Sequence, residues 1–80
     1  MLYYVYVCQN GKSVTKYVGL KESAEKYWDE LSNNYINNLL ESGIDFDIFR
    51  NESEETKFTE LSSADQILKI VLSNSKPKIN

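Results

Sequence analysis

The chain has 80 residues, nine of them Lys or Arg and twelve Asp or Glu, with no His and one Cys. One domain is the most such a length allows, and 41% apolar with 26% charged residues is globular rather than disordered composition. The lack of His and the single Cys8 exclude a Cys/His zinc site, a His-dependent catalytic triad and an internal disulfide, while the net charge of −3 weighs against non-specific duplex binding.

No apolar run approaches the roughly 18 residues of a membrane span. The segment 1–7 has no leading cation and no small-residue cleavage site, so it does not read as a signal peptide. A cytoplasmic location is the expectation, and Cys8 reads as a small buried hydrophobe.

Tyr3 to Cys8 is aromatic and β-branched, which predicts a strand over 3–8 with two apolar faces. Asn10-Gly11 supplies the two positive φ angles of a type I′ turn, so 13–18 is the return strand. A helix is expected over 21–42. Ala24, Tyr27, Trp28, Leu31, Tyr35 and Leu39 make its apolar stripe, and Gly43 makes its stop. Ser32-Asn33-Asn34 has poor helix propensity and is where this helix would divide in two. Alternation over 45–50 predicts a half-buried strand. Residues 56–61 read either as a strand, on Phe58 and two Thr, or as an extended lead into a helix. Ser62 to Asp65 has a capping-box pattern, and Ile67, Leu68, Val71 and Leu72 then predict a helix over 63–73.

The fold class expected is therefore α+β: a small antiparallel sheet with two or three helices packed on it. A tandem ββα–ββα arrangement is the alternative, because Lys16-Tyr17 and Leu20 fall over Lys57-Phe58 and Leu61 when the chain is slid along itself.

Charge is uneven along the chain. Residues 41–60 hold seven acids against Arg50 and Lys57. Asp45, Asp47, Glu52, Glu54, Glu55 and Glu60 from this block are candidate partner-binding residues; a solvated loop kept soluble by charge is the other reading. Tyr27 and Trp28 are added as candidate contacts, with core packing as their competing role. Seven aromatics in the first 35 residues exceed the obvious need of one small core, and exposed aromatics mark binding surfaces. Lys76 and Lys78 are candidate phosphate contacts, with a frayed, soluble tail as the competing reading.

The motifs, in order, resemble a GIY-YIG endonuclease domain. Tyr4-Val5-Tyr6 stands for the first triplet and Tyr17-Val18-Gly19 for the second, with Asn10-Gly11-Lys12 between them. Asp65 stands where the family has a metal-binding Glu, and Lys76-Pro77-Lys78-Ile79-Asn80 is similar to the family's C-terminal end. The resemblance implies a Mg²⁺-dependent nuclease with Tyr6, Tyr17 and Asp65 as catalytic residues and Asp65 as metal ligand. The chain departs from the family where chemistry is done: Tyr27 occupies the place of the Arg that stabilises phosphorane charge, and no His is present. Loss of one such electrostatic donor costs about 100- to 1000-fold in rate.

The expected function is thus a non-catalytic interaction protein on a GIY-YIG-like scaffold, without cofactor. A small acidic chain of this kind suits a phage or mobile-element protein that inhibits or modulates a host protein, such as a nucleic-acid enzyme, in counter-defence. A weak Mg²⁺-dependent endonuclease acting on DNA is the alternative, and a nucleotide-stacking protein a third reading. The chain would act as a monomer or homodimer, away from membranes.

Overall fold

Asn10 and Gly11 take φ of 53° and 74°, and this left-handed pair turns the first strand back on itself. The computed structural model describes residues 1–53 and 55–77. Strand β1 (Tyr3–Gln9) and strand β2 (Lys12–Gly19) form the hairpin, with a bulge that sets Val5 opposite Tyr17 but Tyr6 opposite Thr15. Helix α1 (Lys21–Ser42) follows, then β3 (Asp47–Glu52), β4 (Thr56–Ser62) and β5 (Ile67–Ser73). All neighbouring strands are antiparallel, in the order β2-β1-β5-β4-β3. The last strand is therefore the central one.

The helix runs unbroken through Ser32-Asn33-Asn34. Ala24, Trp28 and Ser32 are buried one turn apart along its inner stripe, so packing on the sheet outweighs the weak local propensity. Small side chains on either side of Trp28 let the indole approach the sheet, where Nε1 donates to the Ile70 carbonyl at 2.8 Å. Gly43, at φ 69°, ends the helix: its N–H donates to Leu40 O and the Ile44 N–H to Leu39 O, a Schellman arrangement.

The expected helix over 63–73 is not present. Residues 67–73 are β5, paired on both sides with β1 and β4. Its Leu68, Ile70 and Leu72 face the helix while Val71 and Ser73 are buried on the other side. A strand apolar on both faces repeats its hydrophobes at helical as well as strand spacing, which is why periodicity misassigned it. Ser62, the expected N-cap, ends β4 and caps no helix, and Ser63 follows it into the turn. The Ser63 N–H and hydroxyl both bond the Gln66 carbonyl, closing the β4–β5 turn.

Among the described residues one helix on five strands thus replaces the two or three helices expected, and the tandem ββα–ββα alternative falls with the missing second helix. Residues 56–62 are a strand, and the strand expected at 45–50 starts two residues later. Among the described residues no helix is long and apolar enough to cross a membrane.

Candidate functional site: the open sheet face

Period-two alternation assigns every strand residue to one of two faces. Tyr3, Val5, Val7, Leu61, Leu68, Ile70 and Leu72 meet α1 and form the core. The helix lies across β1, β2 and β5. On the β3–β4 side it is met by ion pairs instead, Arg50 with Asp29 at 2.9 Å and Lys57 with Glu25 at 3.3 Å.

No element covers the opposite face among the described residues. The register sets Tyr6, Val71 and Phe58 in one row across β1, β5 and β4, and Cys8, Lys69, Glu60 and Phe49 in the next, which reaches β3. Phe49 and Phe58 pack with centroids 5.9 Å apart. The Lys69 ammonium lies 4.7 Å from the Phe58 ring centre, a cation–π contact. Val71 is only 7% exposed although it lies on this open side, set in the central strand between Tyr6 and Phe58. Cys8 is half-buried here, its Sγ 3.1 Å from Ser13 Oγ. Burial raises the Tyr6 phenol above its ordinary pKa of 10.0, with the adjacent Cys8 thiol adding to the effect. The face is an aromatic platform with one Lys and one Glu opposed at its middle.

The three residues tied to nuclease chemistry are placed apart in the fold. Tyr6 lies on the open face. Tyr17 lies under the helix, stacked on Tyr27 with centroids 4.8 Å apart. Asp65 is exposed in the β4–β5 turn. Among the described residues no three His, Cys, Asp or Glu side chains cluster to hold a metal.

Four of the acidic candidates gather at one edge. Asp45 precedes β3, Asp47 begins it, Glu52 ends it and Glu55 follows in the turn. Glu60 lies inward on β4, opposite Lys69. Glu54 and Lys78 lie outside the described residues. Trp28 is in the core, with the Arg50 guanidinium 4.8 Å from its ring, so its surface is spent on packing. A shallow cleft of about 270 Å³ beside the helix C-terminal half, lined by Gln9, Tyr35, Leu39 and Gln66 among others, holds no charged group.

Phe49, Phe58 and Lys69 were not singled out from the sequence as site residues. Reading 67–73 at period two would have put Lys69 and Val71 on one side of a strand, and Phe58 shows the same alternation. Comparison of the chain with protein-family models, with curated proteins and with solved structures gave no match in any of the three.

Proposed function

We propose that this protein is a non-catalytic binding module that engages a protein partner through the open sheet face and its acidic edge. The observation that carries this reading is the uncovered aromatic platform of Tyr6, Phe58 and Phe49. Phe49 is 57% exposed beside the half-buried Phe58 and Tyr6, and clustered aromatics open to water mark interaction surfaces. Aromatics of this kind anchor interfaces because they bury much area at little entropic cost. The separate locations of Tyr6, Tyr17 and Asp65 support a non-catalytic role. The acid around β3 suits a partner with a basic surface, as nucleic-acid enzymes have, and fits the host-directed role expected from the sequence. It disfavours nucleic acid on the platform, since Lys69 already sits on Phe58 and acids flank the face.

Affinity capture from host lysate with the wild-type chain and with Phe58→Ser tests this. The expected result is a stoichiometric protein that survives nuclease treatment of the lysate and is lost with the variant. Recovery of nucleic acid alone, or Mg²⁺-dependent DNA cleavage abolished by Asp65→Ala, would overturn it.

A further inference from the structure

The two edges of the sheet are built differently. At β2 the register shifts beside Lys16, and Lys12 and Lys16 are both exposed. A bulge and edge lysines are devices that stop another strand from pairing there. Strand β3 has neither. Its register with β4 is regular from Asp47 to Glu52, it contains no Lys or Pro, and all six residues are exposed.

The backbone of β3 is set for a further partner. The Ser53 N–H bonds the Thr56 carbonyl at 3.0 Å, which makes that pair a hydrogen-bonded one. Antiparallel pairs alternate, so the N–H and C=O of Ile48, Arg50 and Glu52 point away from β4. No strand receives them among the described residues. The side chains add apolar area on both faces of the edge, with Ile48 51% and Phe49 57% exposed.

Charge selects what can pair. Asp45 and Asp47 stand at one end of β3, and Glu52 and Glu55 at the other. Arg50, the strand's cation, is held inward by the Asp29 carboxylate and the Trp28 ring. Lys57 is divided between Glu25 at 3.3 Å and Glu52 at 3.9 Å, so both ends stay negative. We infer that β3 is a docking edge for an extended, basic segment of the partner protein, which adds a sixth strand with apolar residues at its centre and Lys or Arg at its two ends. This rests on the protein-binding reading above and names where and how the partner is gripped.

The probe is a blocked peptide, Lys-Val-Thr-Val-Thr-Val-Lys, titrated into the isotope-labelled full chain. The amides of Ile48, Arg50 and Glu52 should shift and gain protection from hydrogen exchange. The same peptide ended in Glu should bind about tenfold more weakly, as like charges replace opposite ones at both ends. Ile48→Pro removes one outward donor without touching the bonds to β4, and should abolish binding. Asp47→Lys with Glu55→Lys leaves the backbone intact and cancels the acid at both ends against Asp45 and Glu52, so this variant should bind the two peptides alike, and a folding defect in the proline variant does not decide the matter. Equal binding of the two peptides to the unsubstituted chain overturns the inference. So do shifts confined to Tyr6 and Phe58, or β3 protection that grows with protein concentration alone, which marks a second copy as the occupant. Loss of the captured protein in Phe58→Ser alongside any of these results leaves the binding reading standing and removes only the edge.

Discussion

The two faces of the sheet draw on the same strands and treat them in opposite ways. Along β1, Val5 and Val7 are sealed under the helix while Tyr4, Tyr6 and Cys8 on the other side are half-buried. Along β5, Ile70 and Leu72 are under the helix, and Val71 on the other side lies between Tyr6 and Phe58 in the register. The covered face packs aliphatic side chains with Trp28, whose polar atom is bonded, and with rings such as Tyr3 and Tyr17 that the helix encloses. The open face uses aromatics, a thiol and a Lys–Glu pair, groups that tolerate water and a partner equally. Fold stability is thus concentrated on one side and recognition can reside on the other.

Substitutions on the two faces should separate accordingly. Trp28→Ala removes the anchor of the covered face and the bond to Ile70 O, and should cost about 3–5 kcal/mol in chemical denaturation. Phe58→Ala on the open face should cost only about 1–2 kcal/mol, because the ring is half-buried, while abolishing partner capture. Equal destabilisation by the two would break the contrast. Thr59→Val should act with the opposite sign. The Thr59 hydroxyl is fully buried on the covered side with no hydrogen-bond partner among the described residues. A methyl in its place should stabilise by about 1 kcal/mol, read as a raised denaturation midpoint. The smallest effect belongs to Tyr6. The folded chain favours its neutral phenol, so this contribution is complete below about pH 10 and is lost as pH rises past the folded pKa. Tyr6→Phe should flatten the alkaline fall in stability, and an NMR titration of Tyr6 should place its midpoint above the ordinary tyrosine value.

Much of the covered face was legible in the sequence. The Asn10-Gly11 turn, the stripe through Trp28 and the Gly43 stop are local signals, and each formed as its residues dictate. The open face was not legible, because its rows join residues from four strands whose register no local pattern encodes. The misread strand was decisive: with 67–73 taken as a helix, Lys69 and Val71 had no sheet to belong to. The acidic block was visible as composition, but its alignment along one edge depends on β3 lying outermost, a fact of topology.

The position of β5 bears on how the protein is made. Its pairing of Ser73 with Tyr4 brings the two ends of the sheet-forming chain together. The hairpin and helix can form as they leave the ribosome, yet the nascent sheet stays in two pieces until the final strand emerges to join them. Folding that waits on so distant a contact is slow to complete, and the aromatic rows of each piece lie bare in the interval. A translation stall before residue 67 would therefore leave a sticky, half-built chain, open to chaperones and proteases.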